Sequence, residues 1–216
     1  ESWLKHTKCN IKQAYGLSET SPAVSIQHKN TSVFSGDCGT ALSDTEVSIR
    51  NDKGEKQPIN QHGEIWIRGP QVMKGYWHNP KATQEAITDD GWFKTGDIGY
   101  LDQSHALFIV DRCGDIMNVS GFNVAPREIE EALMTHPDVL EIAVFGTADK
   151  EHGTLIHAQV VPTNPSTFKP STIEQYAHQL LAGYKVPHHI VAVINIPKNN
   201  LGKPDKKKLK SDYLKT

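Results

Sequence analysis

The chain has 216 residues, with 23 Lys and Arg against 25 Asp and Glu, so its formal net charge is −2. This length allows one large domain or two modest ones, and the 37% of hydrophobic residues suits a globular protein with buried cores. A near-neutral chain does not fit general electrostatic binding to nucleic acid, which needs a strongly basic protein. No apolar run approaches the roughly 20 residues that cross a bilayer, and no signal-peptide pattern opens the sequence.

The cysteines and histidines give no sign of a metal site. Cys9, Cys38 and Cys113 are widely spaced and form no C-x-x-C pair, which indicates reduced thiols in the cytosol. His152 and His157 have no acidic or thiol partner at ligand spacing. We therefore interpret the eleven histidines as scattered surface residues.

The first half of the chain has the pattern of β-strands. It begins like the end of a helix, strand character then runs over residues 33 to 78, and alternating segments are separated by Gly-bearing turns. This pattern predicts a small β-barrel or a curled sheet. The predicted elements are strands at Glu46–Asp52 and Gly63–Pro70, a short helix at Lys81–Ile87, and a hairpin at Gly99–Arg112 whose tip lacks glycine.

From Asp115 onwards strands and helices alternate, which predicts a compact α+β domain of roughly 100 residues. One helix is expected after Pro126. A second is expected over Ser171–Tyr184, with Ser171 and Glu174 forming a capping box and Gly183 at its end. The predicted strands are Asp138–Gly146, Leu155–Pro162 and the segment HIVAVINIP, and the boundary between the two halves is placed near Arg112 to Asp115.

Four motifs follow one another and span almost the whole chain. They are QAYGLSET (Gln13–Thr20), GWFKTGD (Gly91–Asp97), DRCGDIMNVSGFNVAPREIE (Asp111–Glu130) and PKNNLGK (Pro197–Lys203). Together they resemble the adenylate-forming superfamily of acyl-CoA synthetases, luciferases and peptide-synthetase adenylation domains. The segments GPQVMKGYW, VSGFNVAPREIE and LAGYKVPHHI are most similar to long-chain fatty acyl-CoA synthetases of the bacterial type.

The resemblance implies that the chain is the C-terminal part of a larger enzyme. Such enzymes have about 500 residues or more, well over one typical domain, and their phosphate loop and acyl-chain tunnel lie upstream of the position of Tyr15. The implied fold is α+β: residues 1–111 form the β-rich, barrel-like end of the large domain, 112–115 the hinge, and 116–216 a small mobile domain. The 216 residues alone are then expected to be inactive and to need the missing N-terminal part.

The resemblance also implies the reaction of the intact protein. A fatty acid reacts with ATP to give an acyl-adenylate, and CoA then displaces AMP to give the acyl-CoA. Catalysis of such phosphoryl chemistry depends mainly on charge stabilisation and positioning. The implied ligands are Mg²⁺ at Glu19, adenine at Tyr15 and Gly16, phosphate at Ser18, where the family more often has threonine, both ribose hydroxyls at Asp97, and ribose or phosphate at Arg112.

The lysine-rich segment near the end of the chain contains one residue with an implied catalytic role. Lys203 matches the family lysine that reaches the substrate carboxylate and the α-phosphate, where negative charge builds up. We interpret the next four lysines as a solvated basic patch, open to CoA phosphates or an anionic membrane surface. They are Lys206, Lys207, Lys208 and Lys210. A polyanion-binding arm is the alternative interpretation of this segment.

Two further sites follow from the resemblance. Ser120, Gly121 and Phe122 form the hairpin tip that in relatives enters the active site for thioester formation, as the small domain rotates between two poses. Gly114 stands at the pivot position, where many relatives have Lys or Asp. Glycine permits large φ and ψ changes but offers no side chain to anchor a pose. We therefore expect a looser domain arrangement in this protein.

Three functional alternatives stay open at this stage. The acid could be an aryl or other acyl acid, the acceptor could be a carrier-protein pantetheine, and the chain itself could be a non-catalytic module that binds nucleotide weakly. The expected partners are fatty acid, ATP and CoA, without nucleic acid. We expect a cytoplasmic protein of fatty acid metabolism, with peripheral contact to a membrane as an open alternative.

Overall fold

A computed structural model describes residues 2–7, 9–29, 31, 35–200 and 202–215. The chain divides into two compact units, Glu1–Cys113 and Gly114–Thr216. This division falls inside the segment 112–115, whose role as a hinge stays a prediction. Residues 33 and 34, at the start of the predicted strand-rich stretch, and Leu201 of the lysine motif lie outside the described residues.

The first unit is built from antiparallel strands, as its alternating sequence predicts. Its described elements are α1 (Ser2–Thr7), β1 (Ala14–Gly16), β2 (Ala23–Ile26), β3 (Thr40–Ala41), β4 (Glu46–Arg50), β5 (Gly63–Arg68), α2 (Pro80–Ala86), β6 (Phe93–Leu101) and β7 (Leu107–Arg112). One sheet has the order β1–β2–β3 and the other the order β4–β5–β6–β7. The described strands form open sheets and do not close into a barrel.

Strand β5 shows how the period of two sorts side chains between the faces of the larger sheet. Ile65 and Ile67 are fully buried and lie in one hydrophobic cluster with Val24 of β2 and Leu107 of β7. The intervening Trp66 points to the opposite face. The inner face therefore joins the two sheets of this unit, and the outer face is available for other contacts.

The outer face carries alternating cationic and aromatic side chains. The guanidinium of Arg50 lies 4.7 Å from the ring centre of Trp66 and 5.0 Å from that of Trp92. Arg68 packs over Trp92 at 4.7 Å, and Lys94 over Trp66 at 5.2 Å. Each cation–π contact contributes about 0.5–2 kcal/mol, depending on its exposure. The Trp and Lys of the GWFKTGD motif thus hold the start of β6 against β4 and β5.

The hairpin between β6 and β7 turns without glycine because an aspartate side chain supports it. Oδ1 of Asp102 accepts hydrogen bonds from the backbone N–H groups of Ser104 and Ala106, at 2.9 and 2.8 Å. His105 takes the left-handed conformation, with φ of 61°. Aspartate commonly stabilises turns through such bonds to the following backbone, which explains the unusual loop noted in the sequence.

The second unit confirms the predicted α+β fold. Its described elements are β8 (Met117–Val119), β9 (Phe122–Val124), α3 (Pro126–Leu133), β10 (Val139–Asp149), β11 (Gly153–Pro162), α4 (Pro170–Leu180), β12 (His189–Ala192) and α5 (Lys206–Tyr213). The sheet has the order β10–β11–β12, with an antiparallel and then a parallel pair. Helices α3 and α4 bury apolar side chains against this sheet, including Ile129, Leu133, Ile173 and Ala177.

Two helices differ from the predictions. Helix α4 begins at Pro170 after Lys169, without a side-chain cap, so the capping box of Ser171 and Glu174 is wrong. Proline suits the first helical position because its missing N–H is not needed there. The helix ends at Leu180 and not at Gly183, where a short 3₁₀ helix begins.

Helix α5 was not predicted, because its lysines mask a helical signal. The side chain of Asp205 accepts a hydrogen bond from the backbone N–H of Lys208 at 3.0 Å and so caps the helix. Leu209 is only 2% exposed and packs with Ala143 and Phe145 of β10. No helix in the described part of the chain has the length and apolar character that a membrane span requires.

The expectation of surface histidines is wrong for His157 on β11, which is 3% exposed. Its Nε2 lies 2.7 Å from the hydroxyl of Thr147, while Nδ1 has no hydrogen-bond partner among the described residues. The ring centres of His189 and Tyr213 lie 5.0 and 4.1 Å from the ring centre of His157. Burial, with a smaller contribution from neighbouring histidines, lowers the pKa of His157 to about 4.

We predict that acidification destabilises the second unit through His157. Because its pKa is about 4 in the folded state and about 6.5 in the unfolded chain, the unfolded state binds more protons between these values. The free energy of unfolding should therefore fall as the pH drops from about 6.5 to 4. Urea unfolding at pH 7 and 4.5 measures this fall. His157→Phe should reduce it, whereas His178→Phe, at an exposed position on α4, should not; equal falls in both variants would contradict the prediction.

Candidate functional site

Asp97 is presented by a bulge in β6. Three residues of β6, Thr95, Gly96 and Asp97, stand opposite a single residue of β5, Ile65. The hydroxyl of Thr95 donates to the carbonyl of Ile65 at 2.8 Å and accepts from the backbone N–H of Asp97 at 3.0 Å. Gly96 has φ of 71°, a value that favours glycine. Bulges redirect side chains, and the residues of the TGD motif are those that this bulge requires.

The carboxylate of Asp97 is only 5% exposed and is held from two sides. Arg112 lies directly opposite on β7, with its Nε 2.8 Å from Oδ1. The hydroxyl of Tyr15, from β1 of the other sheet, donates to Oδ2 at 2.5 Å. The structure thus brings together three of the residues that the sequence assigned to the nucleotide. Each carboxylate oxygen can accept more than one hydrogen bond.

Tyr15 is fixed as a hydrogen-bond donor. Burial, followed by the negative charge of Asp97, raises the pKa of its phenol far above the usual range. The group therefore stays protonated at any physiological pH. The side chain of Arg112 is 58% exposed, so the cluster lies at the surface on this side.

The QAYGLSET motif positions Glu19 through contacts with the segment before α2. Ser18–Thr20 forms a 3₁₀ turn in which Ser18 is exposed. The hydroxyl of Tyr76 donates to Oε1 of Glu19 at 2.9 Å, and the N–H of Met73 donates to the Glu19 carbonyl at 2.8 Å. The Tyr76 contact was missed by the sequence reasoning, because the GYW segment was used only as a family signature.

Besides its expected role near adenine, Gly16 is needed for the close approach of two strands. A Cβ atom at this position would lie 1.7 Å from the carbonyl oxygen of Pro22, where β1 and β2 run close together. Any other residue would force the two strands apart.

The hairpin of the second unit has the predicted tip. Val119 pairs with Phe122, so Ser120 and Gly121 form a two-residue turn. Both have positive φ, of 51° and 88°, as a type I′ turn requires. Phe122 is 53% exposed and stacks on Tyr184 with ring centres 4.4 Å apart.

Gly114 lies in a 3₁₀ turn, Cys113–Asp115. Its φ is not positive, and a Cβ atom there would meet no described atom within 4 Å. The conformation therefore does not demand glycine. What glycine adds at this position is backbone freedom.

Lys203 is exposed on a tight loop whose described residues are 197–200 and 202–205, which we call the lysine loop. Its carbonyl accepts from the N–H of Asn199 at 2.8 Å, and its own N–H donates to the Asn199 side chain at 3.1 Å. Gly202 takes φ of 76°. Within the part of the chain that the structure describes, no ion pair involves the Lys203 ammonium. The loop therefore presents one cation on a well-bonded backbone.

The interpretation of the following lysines as a solvated patch is wrong for Lys206. Its ammonium lies 3.2 Å from Oε1 of Glu130, and the two side chains are 15% and 19% exposed. Lys206 is the first residue of α5, and it turns towards α3. Lys207 and Lys208 are exposed, as expected.

Comparison with known proteins identifies relatives along the whole chain. The family model described as AMP-binding enzyme matches residues 1–77, and the model of the AMP-binding enzyme C-terminal domain matches residues 128–203. A long-chain-fatty-acid–CoA ligase from Yersinia pestis is 39% identical over 215 residues, which are 100% of this chain and 38% of that protein. A 4-coumarate–CoA ligase-like protein from Oryza sativa is 39% identical over 201 residues, covering 92% of this chain and 36% of that protein.

Solved structures agree. ATP-bound MatB from Rhodopseudomonas palustris matches with a TM-score of 0.90 and 31% identity, over 98% of this chain and 42% of that one. The o-succinylbenzoate CoA synthetase of Bacillus subtilis, in complex with its acyl-adenylate intermediate, matches with a TM-score of 0.89 and 32% identity, over 97% and 43%. The chain spans about two-fifths of the length of the relatives it matches. With both models matched in order along it, the chain belongs to the AMP-binding enzyme family.

Proposed function

We propose that the chain is the C-terminal part of an ATP-dependent acid–CoA ligase that acts on fatty acids. The observation that carries the proposal is the cluster in which Tyr15 and Arg112 hold the buried carboxylate of Asp97. A desolvated carboxylate with fixed donors suits the recognition of paired hydroxyls, such as those of a ribose. The names of the curated relatives support a CoA ligase, and several of them support a fatty acid as the substrate.

In the first half-reaction the fatty acid carboxylate attacks the α-phosphorus of ATP, and pyrophosphate leaves. Asp97 would bind the ribose hydroxyls, with Arg112 as the fixed cation beside it. Lys203 would stabilise the negative charge that grows on the α-phosphate and the attacking carboxylate. Its exposure on the lysine loop suits this role, because the ammonium is not engaged in an ion pair among the described residues.

Glu19 is the residue that would hold Mg²⁺. Magnesium prefers hard oxygen ligands. The Glu19 carboxylate, in the Ser18–Thr20 turn, is oriented by a hydrogen bond from the Tyr76 hydroxyl. Mg²⁺ would supply charge neutralisation between the phosphates. Ser18, exposed one residue earlier, would donate its hydroxyl to a phosphate oxygen.

In the second half-reaction the CoA thiol attacks the acyl-adenylate carbonyl, and AMP leaves. The exposed tip formed by Ser120, Gly121 and Phe122 would then face the adenylate, and 112–115 would serve as the hinge that exchanges it for Lys203. Both half-reactions would thus use elements of the second unit. A cytoplasmic location and peripheral contact with a membrane stay predictions from the sequence.

The acyl substrate has one specific competitor. The 4-coumarate–CoA ligase-like relative is as similar to this chain as the fatty acid ligases, which favours an aryl acid as the second candidate. The acyl pocket of such enzymes is expected upstream of this chain. Measuring kcat/KM of the full-length protein with fatty acids of increasing length and with an aryl acid separates the two candidates.

Replacing Lys203 by Ala in the full-length enzyme should abolish most adenylation. Loss of a charged group at the developing negative charge costs about 100-fold or more in rate, measured as acid-dependent release of pyrophosphate. Thioester formation from supplied acyl-adenylate should largely survive, since it does not need this cation. Lys207→Ala, at an exposed position of α5, is the control. An equal loss in both half-reactions would contradict the assigned role.

Substitutions in the cluster of Tyr15, Asp97 and Arg112 should raise the KM for ATP. The rise should be larger for a side chain that contributes more to nucleotide binding. Asp97→Asn removes a charged acceptor and should have the largest effect. Tyr15→Phe removes one hydrogen bond to a carboxylate and should raise KM about tenfold. Tyr100→Phe, on the same strand as Asp97 but stacked on Phe108, is the control. A wild-type KM for ATP in the Tyr15→Phe enzyme would show that Tyr15 does not contribute to nucleotide binding.

The isolated chain should bind ATP only weakly. In the proposed function the cluster of Tyr15, Asp97 and Arg112 would contact only the sugar end of the nucleotide, and the phosphate loop is expected upstream of this chain. Isothermal titration of the isolated chain with ATP and Mg²⁺ measures this directly. Micromolar affinity would show that the described residues form a complete nucleotide site.

A further inference from the structure

Glu130, the last residue of the PREIE segment, joins three elements of the second unit. It lies on α3, and its Oε1 accepts a hydrogen bond from the backbone N–H of Val144 on β10 at 2.8 Å. The same oxygen lies 3.2 Å from the ammonium of Lys206 at the start of α5. Only 19% of the Glu130 side chain and 15% of the Lys206 side chain are exposed. This partly desolvated contact ties the first residue of α5 to α3 and, through the same oxygen, to β10.

The start of α5 is also the end of the lysine loop. Lys203 precedes Lys206 by three residues, and between them the backbone N–H of Asp205 donates to the carbonyl of Pro197 at 2.8 Å. At the other end of the loop Lys198 pairs with Glu141 of β10. Backbone hydrogen bonds and an ion pair near each end therefore restrict the position of the lysine loop on the second unit.

These two anchors differ in what they can control. Lys198 lies before the turn, whereas Lys206 follows Lys203 by three residues and also starts the helix that buries Leu209. A shift of α5 would carry the Lys203 backbone with it. A misplacement of about 1 Å can cost a reaction about 100-fold. Glu130 also neutralises Lys206, so Lys203 is left as the cation that the loop presents.

We propose that Glu130 is a positioning residue for Lys203, acting through Val144 and Lys206. The proposal rests on the proposed function of Lys203 in adenylation. It assigns to the segment after the hairpin tip a role in the first half-reaction, although the tip itself is expected to act in the second.

The test compares both half-reactions in the full-length enzyme carrying Glu130→Gln. Glutamine keeps an oxygen for the Val144 N–H but removes the charge that holds Lys206. Adenylation should fall about tenfold or more in kcat, with the KM for ATP nearly unchanged. Thioester formation from supplied acyl-adenylate should stay within about twofold. Lys206→Gln, which removes the other partner, should give the same selective loss.

Glu128→Gln is the matched control. Glu128 lies on the same helix and pairs with Lys185 at 2.5 Å, away from the lysine loop. Its loss should leave both half-reactions within about twofold. If Glu130→Gln and Lys206→Gln lower both half-reactions equally, the contact only stabilises the unit and the proposal is wrong.

A double variant shows whether Glu130 acts through Lys203. In a Lys203→Ala background, Glu130→Gln should cause no further loss of adenylation, because residues that act as one device are not additive. Additive losses would overturn the proposal. Failure of the proposed function would look different, since Lys203→Ala would then leave adenylation intact whatever stands at position 130.

Discussion

The candidate nucleotide site depends on one constraint, the burial of the Asp97 carboxylate. A buried carboxylate is tolerated only with hydrogen-bond and charge partners, and at Asp97 three separate features provide them. The bulge in β6 turns the side chain inward, the β6–β7 register puts Arg112 opposite, and β1 brings in Tyr15 from another sheet. The other residues of the GWFKTGD motif are constrained as well. Thr95 and Gly96 form the bulge, and Trp92 packs against the guanidinium groups of β4 and β5.

In the second unit the residue with the proposed role is exposed, and its charged neighbours are the ones that are paired. Two lysines on either side of Lys203 are paired with carboxylates, Lys198 with Glu141 and Lys206 with Glu130. Lys203, between them, is exposed. Pairing removes competing positive charge near the loop and at the same time fixes its backbone. The Lys203 ammonium can thus be exposed to a ligand while its backbone is held in place.

Sequence reasoning found the features that depend on local pattern and missed those that depend on tertiary contacts. Alternation was enough for β5 because one of its faces is buried, and the Ser-Gly tip follows from turn chemistry. Helix α5 was missed because one buried residue, Leu209, supports it among lysines. The environment of His157 is set by α5 and β12 together, and no local signal in β11 reveals it. The same holds for Tyr76 and Glu130, whose partners lie 57 residues and 14 residues away along the chain.

The proposed function needs one unit to serve two half-reactions, which sets a requirement on where rigidity lies. The hairpin tip and Lys203 must each be held accurately on the second unit, and both are: the Ser120 N–H donates to the His152 carbonyl at 2.8 Å, and the lysine loop has its two ion pairs. Flexibility between them would degrade both steps. In the proposed function the freedom to exchange one for the other would come from the connection between the units, and Gly114 is a residue there whose conformation does not itself require glycine. On this view its value lies in the low cost of changing its φ and ψ, which complements a unit whose interior is held by fixed contacts.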